Sequence, residues 1–577
     1  MSYVDAIYDR DEDTIRVVER NADGKRVFRE HLPRHVFYYK DPKGKYRSIY
    51  GDPLSKVTCK NQKELRKELA IHSGQTLFES DINPVFRCLE ENYLNADSPK
   101  LNVAFFDIEV DFDPERGYAS PDDAFMPITA IAVYLQWLDT MICLAIPPKT
   151  LSMEQATQEV DGIPNVMLFD NEAELLDTFL TLINDADILS GWNSEGFDIP
   201  YTVHRVTKVL SKDDTRRFCL WNELPKRREY EKFGKSAVTY DLVGRVHLDS
   251  LELYRKYNYE ERHSYRLDYI GEMEIGEQKV AYEGTLDQLY NNDFRKFIEY
   301  NIQDTALLDK LDKKLQFIDL ANSIAHENTV LLKTTMGAVA VTEQAIINEA
   351  HERGFIVPNR KRHDSDTQAA GAYVAVPKKG IQDWVGSMDI NSLYPSVIRA
   401  LNMGPETIVG QLRPDGTKAF IESQIVKGKS FAAAWEGMFG TLEYNDVMSQ
   451  SIGREITIDW EDGSSDVLSG AQIYDLIFES NQPWMLSANG TIFTYEKEGI
   501  VPGLLARWYR ERQELQEKKK TASKAGLKSD EVYWDKRQLV KKINLNSLYG
   551  AILNPGCRFF DPRIGHSVSY SGHSRFD

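Results

Sequence analysis

At 577 residues, with 42% hydrophobic and 28% charged residues and a net charge of −19, the chain is too long for one hydrophobic core, and about three or four domains are expected. No apolar run reaches the roughly 18 residues of a membrane span and the opening MSYVDAIYDRDED has no secretory pattern, so a globular, cytoplasmic protein without a membrane partner is expected. The five cysteines, Cys59, Cys88, Cys143, Cys219 and Cys557, are scattered and never form a CxxC pair, so neither a disulfide framework nor a zinc site is suggested.

In chain order, VDAIYD, TIRVVER and HVFYYK are β-rich runs and DPKGK is a turn, so residues 1–100 read as an N-terminal domain of short strands. From Leu101 the pattern becomes α/β: LNVAFFDIEV, ITAIAVYLQW, TMICLAIP and ADILSGWNS read as strands, NEAELLDTFLTLINDADI as an amphipathic helix. FRKFIEYNIQDTALLDKLDKKLQFIDLANSIA is one long helix-periodic run, which sets a second domain over residues 101–317, with 318–360 returning to the first. GAYVAVP and WVGSMDI open a strand-rich unit over 361–498 that carries a polar, irregularly patterned insertion at about 413–483. Two basic helices follow over 499–550, joined at Gly526 to Ser529, and 551–577 begins a return to the preceding unit. Between Val501 and Leu545, 12 Lys and Arg stand against 6 Asp and Glu, a local net of +6 in an acidic chain. Such an element can carry phosphate contacts, although a basic helix is also an ordinary solvated face.

Three stretches in the α/β segment carry acids in a pattern. Asp107 and Glu109 lie two apart on a strand and so share a face, where a divalent metal would neutralise them, as would solvent at a strand end. Asp198 in GWNSEGFDIPY sits in a turn where Asn193 could orient the loop; a helix N-cap before Ile199-Pro200 is the plainer reading. Tyr300 and Asp304 in YNIQDT are four apart and face the same way on a helix, as a surface hydrogen-bonding pair would. Taken together, Asp107, Glu109, Asp198 and Asp304 suit two Mg2+ or Mn2+ ions clamping a phosphodiester, with Tyr300 positioning water. DIE, NxxGFDxPY and YNxxDT in this order resemble the three exonuclease motifs of the DnaQ-like, RNase H-like 3'-5' exonuclease domain of family B DNA polymerases. That resemblance implies two bound metals and a single-stranded DNA 3' end as substrate. It also sets Lys279, in GEQKVAYEG, beside the scissile phosphate.

Further on, Asp389 in DINSLYPS ends a short apolar strand, and the backbone N–H groups of the following turn form a nest suited to triphosphate oxygens. Lys542, Asn546 and Tyr549 are spaced i, i+4, i+7 and make one helical stripe of a cation, an amide and an aromatic, with Gly550 beside it. DINSLYPS and KxxxNSLYG resemble the nucleotide-binding motif of the palm and the fingers motif of the same family. The resemblance implies a multidomain α/β protein: a mixed α+β N-terminal domain, the exonuclease domain, a partial palm and a two-helix fingers hairpin. It assigns Asp389 and the carbonyl of Ile390 to Mg2+, and the amides of Ser392, Leu393 and Tyr394 to a deoxynucleoside triphosphate, with the Tyr394 ring excluding a ribose 2'-OH. Lys542, Asn546 and Arg512 become triphosphate contacts (Arg510 and Lys518 are substitutes for Arg512), Tyr549 and Gly550 lie at the primer terminus, and Gly371-Ala372 tracks template. SLYPSVIRALNMGPETIVG and EGIVPGLL resemble the T-even-type myophage members.

The family's second polymerase carboxylate comes in a YGDTDS stretch, and no such stretch occurs here; DSDT at Asp364 and DDT at Asp213 read as caps or turns. The thumb is likewise missing. The expectation is therefore the N-terminal portion of a split replicative polymerase, with a complete exonuclease site and a polymerase site that needs a C-terminal chain. Primer-template DNA and a sliding clamp are further implied partners. A stand-alone exonuclease and a non-catalytic nucleic-acid-binding fragment are the alternatives.

Overall fold

LNVAFFDIEV folds as its composition dictates, a strand buried along both faces apart from partly exposed Asp107 and Val110. The computed structural model describes residues 2–232, 235–361, 379–386, 392–412 and 455–573. Two units emerge, Met1–Arg34 with Pro84–Met336, and His35–Asn83 with Gly337–Asp577.

The first unit is built on six strands, β1 (Val103–Val110), β2 (Ile128–Leu135), β3 (Thr140–Ala145), β4 (Val166–Leu168), β5 (Ile188–Ser190) and β6 (Val246–His247), in the order β4-β3-β2-β1-β5-β6. β2 runs antiparallel to β1 and β3, and the other pairs are parallel. Three helices bear on the acids: α1 (Asp198–Val209), α2 (Ser250–Tyr257) and α3 (Phe294–Leu315). Period-two alternation decides which residues meet which helix. Ala104, Phe106 and Ile108 face a core with Leu175 and Phe179 of the helix Glu172–Leu182 and with Ile199, Val203 and Val206 of α1. Ala130, Cys143 and Ala145 face Phe294, Phe297 and Ile298 of α3.

The long helical run does not continue unbroken. Gln316 takes a left-handed φ of 55°, and a new helix, Phe317–Glu327, starts directly after it. The turn sets the Phe317 ring against Tyr254 and Tyr257 of α2. Hydrophobic periodicity alone cannot see such a break because it changes helix direction without interrupting the apolar pattern. The three N-terminal strands form an antiparallel sheet, in which Tyr3, Ile15 and Val17 pack on Leu89 of the helix Pro84–Tyr93.

In the second unit, His35–Lys40, Tyr46–Ser48, Pro53–Cys59 and Leu77–Phe78 join Phe355–Ile356 in one five-stranded sheet. Another holds Ile408–Leu412, Glu455–Trp460, Ser465–Ser469, Trp484–Leu486 and Thr491–Thr494, so residues 455–469 of the polar stretch are two of its strands. Its helices include α4 (Ala338–Glu352), α5 (Leu393–Ala400), α6 (Ile500–Lys524), α7 (Lys528–Ile552) and α8 (Pro562–His573). Their core joins Val397 and Ile398 to Leu504, Leu505 and Trp508 and to Leu545, Leu548 and Ile552. Among the described residues, no helix is long and apolar enough to cross a membrane.

Candidate active site

The acids gather where the sheet opens. β5 pairs with β1 only as far as Ser190 opposite Phe105, leaving the far half of that β1 edge without a strand. The chain turns away at Gly191, whose Cα is so close to β1 that an added Cβ would lie 2.9 Å from the Phe106 carbonyl oxygen. It returns at Asp198, whose Oδ1 accepts the Ile108 N–H at 3.2 Å. Asp198 is thus the first residue of α1 and not its N-cap, which is Phe197. On the other edge, Asp107 and Glu109 stand opposite Ala132 and Ala130 of β2, and these small cross-strand neighbours leave room above the acids. α3 crosses that space and adds Tyr300, Asn301 and Asp304. Carboxylate oxygens of Asp107, Glu109 and Asp304 all lie within 4.8 Å of one another.

A second carboxylate sets the loop that carries Asp198. Asp249, buried and the N-cap of α2, accepts the N–H groups of Asn193 (2.9 Å) and Leu251 (2.9 Å) on Oδ1 and that of Glu195 (3.0 Å) on Oδ2. Asn193 itself holds a left-handed φ of 61°, and Ser194 Oγ hydrogen-bonds His247 Nε2 at 2.8 Å. Sequence reasoning passed over Asp249; the Asp-Ser-Leu-Glu start of a helix is a cap signal, but nothing in it says that the same carboxylate reaches back over fifty residues.

So many acids in one place hold protons tightly. Burial first, then Glu109, Asp304 and Asp198, drives the Asp107 carboxyl well above the ordinary range. Burial and Asp304 push Glu109 up to about 8, and burial pushes Asp198 up to about 7 against the Ile108 hydrogen bond. Burial also raises Asp304, while Lys279 opposes it. Lys279 Nζ donates to Asp304 Oδ2 and, at 3.0 Å, to Tyr300 Oη. Burial works against the lysine's charge, but Asp304, Tyr300 and Asp107 overcome this and hold it firmly protonated. Asp304 Oδ1 remains buried with no hydrogen-bond partner. Clustered carboxylate oxygens, one of them orphaned, fit a hard divalent cation such as Mg2+ or Mn2+.

The second unit brings together part of the other predicted set. The Tyr394 and Tyr549 rings meet at 4.3 Å, and Tyr549 Oη hydrogen-bonds Ser569 Oγ of α8 at 2.6 Å. Ser392, with a left-handed φ of 55°, starts α5 at Leu393. α6 and α7 form an antiparallel hairpin, fastened by Lys541–Glu511 (2.5 Å) and Lys519–Asp535 (2.8 Å). Arg512 faces Gln538 across it at 3.4 Å and Lys518 lies over the Trp534 ring. Lys542 is half-buried, Asn546 and Gly550 are exposed, and a Cβ at Gly550 would meet nothing within 4 Å. Asp389, Ile390, Gly371 and Ala372 lie outside the described residues.

Comparison with known proteins converges on one family. The sequence model described as "DNA polymerase family B, exonuclease domain" matches residues 53–270, and "DNA polymerase family B" matches residues 329–575. The chain is 25% identical over 559 residues to the DNA-directed DNA polymerase of Escherichia phage RB69, covering 92% of this chain and 60% of that protein. It is 25% identical over 599 residues to that of Enterobacteria phage T4, covering 96% and 64%. The DNA polymerase delta catalytic subunit of Drosophila melanogaster is 28% identical over 261 residues, 42% of this chain and 23% of the relative. The chain thus spans less than two thirds of the length of the two phage relatives.

Proposed function

The chain belongs to DNA polymerase family B, with that family's exonuclease and polymerase domains, and from this premise we propose that its first unit is a 3'-5' exonuclease acting on single-stranded DNA ends. The observation that carries the reading is the trio of half-buried Asp107 and buried Glu109 and Asp304, with its oxygens within 4.8 Å of one another and one carboxylate oxygen orphaned. Asp198 stands at the same strand edge. The six-stranded order, with β2 antiparallel between β1 and β3, supports an RNase H-like domain. Asp107, Glu109, Asp198 and Asp304 would hold two Mg2+ or Mn2+ ions, which when bound supply the positive charge that polarises a phosphodiester and its attacking water. Tyr300, its hydroxyl accepting from Lys279, orients that water. Lys279 offsets the charge of the acids and of the scissile phosphate. Hydrolysis releases a nucleoside monophosphate and leaves a 3'-hydroxyl.

For the second unit we propose deoxynucleoside triphosphate and primer-template binding, supported by the Tyr394–Tyr549 contact and by the stripe of Lys542, Asn546 and Gly550 on α7, with Arg512 on α6. Asp389 and the carbonyl of Ile390 are the proposed metal ligands there. Polymerisation is proposed for these residues acting with a YGDTDS-bearing segment, and exonuclease activity for the first unit's acid cluster. The proposed setting is the cytoplasm of a host cell, with a sliding clamp as a further partner.

The test is paired. Asp107→Ala/Glu109→Ala is expected to lower Mg2+-dependent degradation of a single-stranded oligonucleotide by about three orders of magnitude or more. Primer extension in the presence of the YGDTDS-bearing segment is expected to persist. Loss of both activities in a folded double variant would overturn the two-site assignment.

A further inference from the structure

Asn301 is completely buried on α3, next to Tyr300 and one turn before Asp304. Its Nδ2 donates to Asp107 Oδ2 at 3.0 Å and lies 3.3 Å from the backbone carbonyl of the same residue. One amide therefore holds one carboxylate oxygen against its own backbone, which fixes both side-chain torsions of Asp107. Its other end is set too: Cys143 Sγ, on β3 beneath the helix, lies 3.9 Å from Asn301 Oδ1. A thiol there can donate to the amide oxygen. The backbone carbonyl of Asp107, which can only accept, sets the amide with its N–H toward Asp107, and the thiol is placed to serve the oxygen that this leaves.

Asp107 needs such a hold. Oxygens of Glu109 and Asp304 lie within 4.8 Å of its own, and Lys279 donates to Asp304 and Tyr300 and not to it. A free carboxylate in this setting would rotate away from its neighbours and toward solvent. We propose that Asn301, backed by Cys143, is a positioning residue that keeps the Asp107 carboxylate turned into the acid cluster in readiness for a divalent cation. The inference rests on the exonuclease reading of this site and adds the group that preorganises it.

The experiment uses the full chain and two independent readouts: Mn2+ binding followed by electron paramagnetic resonance, and kinetics on a single-stranded oligonucleotide. Asn301→Leu, of similar volume, is expected to bind Mn2+ about tenfold more weakly, as loss of an oriented ligand partner does. kcat at fixed Mn2+ should fall by a similar factor, recover at higher Mn2+, and leave KM for DNA unchanged. A purely structural role would instead lower the unfolding midpoint without a metal-dependent rescue. Cys143→Ala leaves α3 intact and should shift Mn2+ binding in the same direction by a smaller factor, so it carries the test if Asn301→Leu does not fold. Wild-type Mn2+ affinity and kcat in folded variants would overturn the inference while leaving the exonuclease reading in place. A wild-type chain that neither binds Mn2+ nor degrades DNA would overturn both.

Discussion

At the scale of single residues, Lys279 decides how the acids coexist before a cation arrives. It opposes the raised proton affinity of Asp107, Glu109 and Asp198 as well as Asp304, and its direct partner Asp304 is almost wholly buried. Lys279→Met leaves that carboxylate without its charged partner, at a cost of about 1–3 kcal/mol in the metal-free protein. Because the lysine also occupies Asp304 Oδ2, its removal frees an oxygen for a cation. The rise in thermal midpoint on adding Mn2+ should therefore be larger in Lys279→Met than in the wild type; equal rises would show that the lysine does not stand in for the ion. The acids were legible in the sequence because each belongs to a short pattern of chemically distinctive side chains, whereas Lys279, one cation in a loop, could be singled out only by resemblance to the family. Asn301 and Asp249 were not legible, since an amide in a helix and a helix cap have ordinary local explanations, and their roles lie in partners fifty to two hundred residues away.

At the scale of elements, the site depends on where β5 stops. β1 and β2 could be read from apolar runs, and the alternation along β1 correctly set the two acids on one face. The short pairing of β5 with β1 could not, because the length of a ladder depends on where the next segment turns away. Gly191 makes that turn. An alanine there would bring Cβ to 2.9 Å from the Phe106 carbonyl and 2.8 Å from Ser194 Cβ, contacts that real Cβ atoms do not make, and Phe106 sits in a strand that cannot yield. Gly191→Ala is expected to cost about 1–3 kcal/mol. The loop, less supported than the strand, should take most of the shift and carry Asp198 with it. Exonuclease kcat should fall about ten- to a hundredfold, as displacements of about an ångström do, with a far smaller change in the denaturation midpoint. Unchanged kcat would mean that the loop position is not set by this contact. The break at Gln316 was illegible for a related reason: both helices present apolar residues in one continuous rhythm.

At the scale of the whole first unit, burial of titratable groups makes stability depend on pH in a way that composition does not reveal. His247 is pushed down from about 6.5 to about 3 by burial, with Lys333 and Arg228 adding to it. His326, stacked on Tyr3, is pushed down to about 4 by burial. Both imidazoles are neutral in the folded state while the unfolded chain takes up protons below about pH 6.5, so stability is fully present above that pH and is lost as pH falls. Between pH 6.5 and 4.5 each histidine removes about 2–3 kcal/mol, at 1.36 kcal/mol per pH unit. Buried acids act oppositely over part of the window. Asp5 and Asp249, both raised by burial to about 6, bind protons in the folded state that the unfolded chain has released, and so gain stability as pH falls from 6 toward their ordinary 3.8. The wild-type profile is a partial cancellation, and a single variant separates its parts. His247→Gln keeps a hydrogen-bonding group for Ser194 and removes the titration. Measured by chemical denaturation, its loss of stability between pH 7 and 4.5 should be smaller than the wild type's by about 2 kcal/mol. Parallel profiles would mean that His247 is protonated in the folded protein, which its hydrogen bond to Ser194 and its burial between β5 and the Asp198 loop argue against.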